Sequence, residues 1–155
     1  KAPPMLELKV PPPAVVVIVA AAMWGISLVT ARFGMPEAVR VPAAIAIAIA
    51  GVGIAIAAIV AFRHAHTTIS PVKPEAASSL VTSGVFGFTR NPMYLGLCLV
   101  LVAWAVFLSS ALAFAGPVAF VLYISRFQIA PEERVLARTF GESFSKYRAN
   151  VRRWI

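Results

Sequence analysis

Four long apolar runs, residues 14–33, 43–62, 92–109 and 111–130, set the pattern of this 155-residue chain. Each is close to the ~20 residues that an α-helix needs to cross ~30 Å of hydrocarbon, so the pattern predicts four transmembrane helices. The second run alternates Ala and Ile from Ala43 to Ile49, a strand-like period. A lone strand leaves its backbone unpaired in lipid, so a helix is expected there too. The first run follows Pro11-Pro12-Pro13 and closes near Arg32 and Gly34, and the second is expected to begin after Pro42. Gly51, Gly53 and several alanines give the second run small residues suited to close helix packing. Only Ser109 and Ser110 separate the last two runs, which predicts a tight hairpin, and Pro117 is expected to kink the fourth helix. After Pro131 the pattern becomes amphipathic: Glu132-Glu133-Arg134, then Val135, Leu136, Phe140 and Phe144, predict a short helix on the membrane surface. The expected fold class is all-α integral membrane, with four transmembrane helices plus a short C-terminal cytoplasmic or interfacial helix, in one domain covering 1–155.

Composition strengthens the membrane reading. Hydrophobic residues make up 60% of the chain and charged residues 13%, against roughly 25% charged in soluble domains. The net charge of +8 comes from basic residues lying between the apolar runs, not on one soluble face, so anionic lipid is the expected partner and nucleic acid is not. Twelve of the 14 Lys and Arg residues fall in the N-terminal tail, the loop between the second and third runs, and the C-terminal tail; Arg32 and Arg40 fall on the other side. The positive-inside rule therefore places both termini and that loop in the cytoplasm. The first run is too long for a signal-peptide core, so no cleavable signal is expected. Cys98 is the single cysteine, which excludes an intramolecular disulfide and a cysteine metal cluster. His64 and His66 have no further His or Cys beside them and read as solvated loop residues, so no metal is expected.

None of the four runs holds an acidic residue, which removes the carboxylate relay that would support a small transporter. Polar groups gather instead in residues 74–94 and 126–147. In the first segment, Asn91-Pro92 reads as an N-cap followed by proline at the first helical position, leaving free amides and partial positive charge for a carboxylate. Gly84 allows the backbone close to a ligand, and Phe86 and Tyr94 offer flat faces for stacking. The same residues also read as a capped helix with interfacial aromatics and a snorkelling Arg90. In the second segment Glu132 and Glu133 diverge by about 100° on a helix, which points to separate jobs: one for a hydroxylated or cationic ligand, one for Arg90 or another arginine. They also read as the acid-rich first turn of a helix.

The ordered set Leu80-Val81-Thr82-Ser83-Gly84, Arg90-Asn91-Pro92-Met93-Tyr94-Leu95-Gly96, Glu132-Glu133, and Phe140-Gly141 followed by Tyr147 and Arg152 resembles the isoprenylcysteine carboxyl methyltransferase family and its phospholipid methyltransferase relatives. The likeness covers roughly residue 62 to the C-terminus. It implies an integral membrane methyltransferase of a bacterial inner membrane that uses S-adenosylmethionine, releases S-adenosylhomocysteine, and binds its cofactor at the cytoplasmic ends of the last helices without a Rossmann domain. Carried over by position, it implies cofactor contacts from Ser78, Ser79, Leu80, Val81, Phe86, Asn91, Pro92, Met93, Tyr94 and Glu132. Asn91 stands where many members have His, and Phe86 where many have Tyr. Gln128 stands where the eukaryotic isoprenylcysteine enzymes carry an Arg that pairs with the substrate carboxylate, so isoprenylcysteine is not the expected acceptor. Arg90 and Glu133 are the candidates to hold the site and orient a lipophilic small-molecule acceptor, with Gln128 touching it. A sulfonium methyl is already electrophilic, so the protein has chiefly to align a nucleophile and exclude water. A non-catalytic four-helix assembly partner is the alternative reading, and a small transporter a weaker one; oligomeric state and acceptor identity stay open.

Overall fold

Prolines mark most of the helix starts in the structure, a computed structural model that describes residues 7–65 and 79–155. Helices α1 (Pro12–Val29) and α3 (Pro92–Leu108) open with proline in the first turn, where an amide would have lacked an intrahelical acceptor anyway. Helix α2 (Glu37–His64) opens after Pro36, with Glu37 in the first turn to suit the helix dipole. A 3-10 turn at Ala111–Phe114 leads into α4 (Ala115–Ile124), and a π-helical turn at Ser125–Ile129 joins α4 to α5 (Ala130–Asn150). Among the described residues there is no β-strand, only an isolated bridge between Arg32 and Ser110.

Several expected boundaries are corrected. The first helix ends at Val29 because Thr30 is extended and the chain beyond it pairs with the hairpin: the Phe33 amide donates to the Ser109 carbonyl (2.9 Å) and Ser109 Oγ donates to the Phe33 carbonyl (2.7 Å). The second helix starts at Glu37 and contains Pro42, which removes a single backbone bond near its N-terminal end. Pro117 falls in the first turn of α4, where proline fits; the departure from α geometry comes at the π-helical turn instead. The C-terminal helix is not a separate short element but continues from that turn, broken only at Gly141, whose φ of 50° suits glycine.

Helices α1 and α2 and the composite Ala111–Asn150 are long and apolar enough to cross a membrane, and α3 is a shorter apolar helix. In the composite helix the apolar stretch ends at Ala130, so the charged half from Glu132 onward lies outside any span. Large apolar side chains also face outward: Val17, Ile18 and Leu28 on α1, Ile45, Ile49 and Ile56 on α2, Val118 and Leu122 on α4. Helices apolar on their outer as well as their inner faces belong to an integral membrane protein.

Helix α2 packs chiefly on α3, and α1 on α4 and α3. Where α2 crosses α3, Gly51 and Gly96 meet backbone to backbone; a Cβ on Gly51 would lie 2.7 Å from the Gly96 carbonyl oxygen and 2.9 Å from Leu99 Cβ. The small-residue surface expected of the second run is thus used at Gly51, while Gly53 has nothing within 4 Å. Met23, Leu101, Phe120, Ile124 and Ile129 form the main core, and Ala58, Val81, Phe86, Phe144 and Tyr147 a second cluster beside the α5 end. Gly51→Ala is expected to destabilise the protein by about 1–3 kcal/mol through overpacking, whereas Gly53→Ala is neutral or slightly stabilising. Thermal unfolding of the two variants in the same detergent compares them directly.

Candidate functional site

The approach to α3, residues 89–91, is held in place because its polar groups pair with the C-terminal tail. The Arg90 amide donates to the Arg152 carbonyl (3.0 Å), and Asn91 Nδ2 and Thr89 Oγ1 both donate to the Arg153 carbonyl (2.8 and 3.2 Å). The expected side-chain cap by Asn91 is therefore corrected: Asn91 sits at the N-cap position but spends its amide on the tail. The Arg90 guanidinium reaches across to α5, donating to Glu133 Oε1 (2.8 Å), to the Arg148 carbonyl (3.2 Å) and to the Val151 carbonyl. Arg153 closes on the same carboxylate, from Nη2 to Oε2 (2.5 Å) and from Nε to Oε1 (3.2 Å). The Arg90 and Glu133 side chains are only 10% and 12% exposed, so two members of this ion triad are nearly buried while Arg153, 39% exposed, forms its outer side. Burial would raise the Glu133 carboxyl, but hydrogen bonds and charge from Arg153 and Arg90 outweigh it and hold the group below its ordinary range.

Glu132 has a different environment. It accepts a hydrogen bond from the Tyr94 hydroxyl, one turn into α3, and has no cationic partner among the described residues. Desolvation pushes its carboxyl up to about 8; the Tyr94 hydrogen bond opposes this and the charge of Glu133 adds to it. The two adjacent glutamates thus have the separate jobs that helical geometry predicts, with Glu133 as the partner of Arg90.

The remaining candidates are distributed less simply. Ser78 and His66 lie outside the described residues. Ser79 Oγ donates to the Ala65 carbonyl (3.1 Å), and Leu80, Val81 and Met93 belong to or pack on the second cluster. Pro92 is buried at the start of α3. Phe86 offers no free stacking face: its ring is buried edge-on against Phe62 at 5.0 Å, and its carbonyl accepts from the Tyr147 hydroxyl (2.8 Å). Gln128 is buried in the π-helical turn, donating from Nε2 to the Val10 carbonyl (2.7 Å), with Oε1 unpartnered. It is not joined to the Arg90–Glu133 pair. His64 closes α2 rather than lying in a loop, and no group of three metal-ligating side chains exists among the described residues.

The tail residues were missed at sequence level. Arg153 and Trp154, whose Nε1 donates to Ser125 Oγ (3.1 Å), complete the site, and only the basic and aromatic end of the chain hinted at them. An open groove of about 710 Å³ runs beside the triad, lined by Leu80, Thr82, Phe140, Lys146, Tyr147 and Val151 among others. The arrangement sets side by side on α5 one carboxylate held ionised by two guanidinium groups and one, beside a phenol, whose proton is held into the neutral range.

The family Phospholipid methyltransferase matches residues 39–143 of this chain. A protein of Haemophilus influenzae described as an "Uncharacterized protein" is 46% identical over 63 residues, which is 41% of this chain and 100% of the relative. No solved structure matches.

Glu133→Gln removes the anion shared by two guanidinium groups and is expected to cost about 2 kcal/mol, below the figure for a fully buried pair because Arg153 is 39% exposed. The exposed Lys146–Glu142 pair provides the control, and Glu142→Gln should leave the melting temperature unchanged. Hydrogen exchange over residues 147–155 should rise in the first variant and not in the second.

Proposed function

Because the chain belongs to the phospholipid methyltransferase family, we propose that it transfers a methyl group from S-adenosylmethionine to a lipophilic, membrane-associated acceptor at the cytoplasmic face. The observation that carries this reading is the convergence of the two polar segments inside the family match, which brings the start of α3 against Glu132 and Glu133. In this reading α3 completes a set of four spans, and both termini with the site lie in the cytoplasm, as the basic residues favour.

The residues present fit a positively charged cofactor. Glu132 is a desolvated carboxyl with a phenol and, among the described residues, no cation beside it, so a positive charge arriving there would favour its ionised form. When bound, S-adenosylmethionine supplies an electrophilic methyl whose departure leaves a neutral thioether. Glu132 and Tyr94 hold the cationic part, and Leu80, Val81, Met93 and the start of α3 form the wall around the rest; Leu80 also lines the open groove beside Tyr147. Arg90, fixed by Glu133 and by the carbonyls of Arg148 and Val151, orients the polar end of the acceptor. Gln128 stands toward the acceptor's route. The apolar outer faces allow a lipophilic acceptor to arrive from the bilayer while the cofactor arrives from water.

Calorimetric titration with S-adenosylhomocysteine, on protein in lipid nanodiscs, should show saturable binding; its absence would remove the methyltransferase reading. Arg90→Ala should reduce methyl transfer to a screened lipophilic acceptor by at least about 100-fold. The raised Glu132 carboxyl fixes a pH dependence. Below about pH 8 the empty site holds a protonated Glu132, and binding a cation requires its ionised form. Affinity for S-adenosylmethionine should therefore climb with pH, by up to about tenfold per unit, and level off above 8. The Glu132→Gln variant should bind more weakly and lose this dependence, which separates it from titration of the ligand.

A further inference from the structure

The segment ahead of α1, residues 7–11, lies across the π-helical turn and is tied to it at both ends. The Leu8 amide donates to the Phe127 carbonyl (3.1 Å), and the Val10 carbonyl accepts from Gln128 Nε2 (2.7 Å). Between a half-exposed Arg126 and a half-exposed Arg134, the Glu7 carboxylate is almost fully covered: its oxygens accept from Arg126 Nη1 (3.1 Å) and Arg134 Nη2 (2.5 Å). The Arg126 guanidinium also stands over the Phe127 ring, at 5.5 Å from its centroid. Two arginines converging on one anion form a cradle for any anion with several oxygens. Seating the segment has a cost, because Leu8 is held at φ 57°, a left-handed conformation that strains a non-glycine residue.

The place of this cradle decides what competes for it. Arg126 and Arg134 flank Ala130, where the apolar stretch gives way to charge, so their half-exposed guanidinium groups sit at headgroup level. A phosphate carries more charge-accepting oxygens than a carboxylate, and the cytoplasmic leaflet concentrates anionic headgroups around basic side chains. We propose that Arg126 and Arg134 form a binding site for the phosphate of an anionic membrane lipid, which the chain's own Glu7 occupies as an internal substitute, and that exchange of phosphate for Glu7 unseats residues 7–11 from the π-helical turn. Unseating frees the Gln128 amide from Val10 and opens the end of the main core on which Val10 and Trp154 both pack. The chain thereby reads the charge of its membrane at the edge of its own site. This rests on the membrane orientation of the proposed function and not on methyl transfer.

Hydrogen exchange at the Leu8 amide reads the seated state without any cofactor, so its failure is distinct from failure of the methyltransferase reading. The wild-type chain is compared in nanodiscs of phosphatidylcholine alone and of phosphatidylcholine with phosphatidylglycerol. Protection of Leu8 should fall roughly tenfold in the anionic discs, the factor that about 1.4 kcal/mol represents. Glu7→Gln should show the same fast exchange in both lipids. The Arg126→Gln/Arg134→Gln pair should lose the lipid response, while Arg138→Gln, which leaves the cradle intact, should keep it. Protection across α2 and α3 reports in every sample that the fold is intact. Equal Leu8 protection of the wild-type chain in the two lipids overturns the proposal, as does a lipid response that survives in the double variant. Inorganic phosphate added to the neutral discs separates the sources: no effect supports the lipid, and an equal effect overturns the lipid as ligand.

Discussion

The Glu133 carboxylate, nearly buried between the guanidinium groups of Arg90 and Arg153, is the contact on which the polar end of the molecule depends. Three pieces of chain far apart in sequence meet there: the approach to α3, the first turn of α5 and the C-terminal tail. The Arg90 donors left over go to the carbonyls of Arg148 and Val151 at the end of α5, where unpaired acceptors and the negative end of the helix dipole receive a cation. A side chain that would otherwise snorkel to water is thus turned inward, and the tail is drawn back over the start of α3.

The same triad explains why neighbouring glutamates behave differently. Glu133 has two cations and stays ionised; Glu132, facing Tyr94 of α3, has none among the described residues and holds its proton into the neutral range. Pairs of like groups driven apart by their surroundings are a common way to obtain two functions from one residue type. Here the difference arises from a rotation of about 100° along one helix, which points one carboxylate at arginines and the other at an apolar wall with a phenol.

Much of this was legible from local pattern. The apolar runs located α3 almost to the residue, the Ser109-Ser110 break located the hairpin, and the pairing of one glutamate with Arg90 followed from helical geometry. What the pattern could not contain were the contacts made at long sequence distance. Thr30 looks like any residue in an apolar run, yet it ends α1 because Phe33 is captured by Ser109. Asn91 has the right identity and position for a cap, but donating Nδ2 to the Arg153 carbonyl holds its side chain toward the tail, and Oδ1 makes no capping bond. Phe86 has a flat face suited to stacking, but the second cluster absorbs it. Arg153 and Trp154 lie in a tail with no periodicity at all, so only the tertiary structure reveals them.

The π-helical turn at Ser125–Ile129 has a consequence for how this chain can vary. Such a turn accommodates one residue more than an α-helix would in the same rise. Deleting one residue there would let the turn relax to α geometry with the helix beyond it still in phase, whereas deleting one from α4 would turn everything beyond by about 100° about the axis. In the second case Glu133 would swing off Arg90, Glu132 off Tyr94, and Arg126 and Arg134 off Glu7. The length of α4 is therefore under tighter control than its composition, and the π-helical turn is the place where a single-residue change of length can be absorbed.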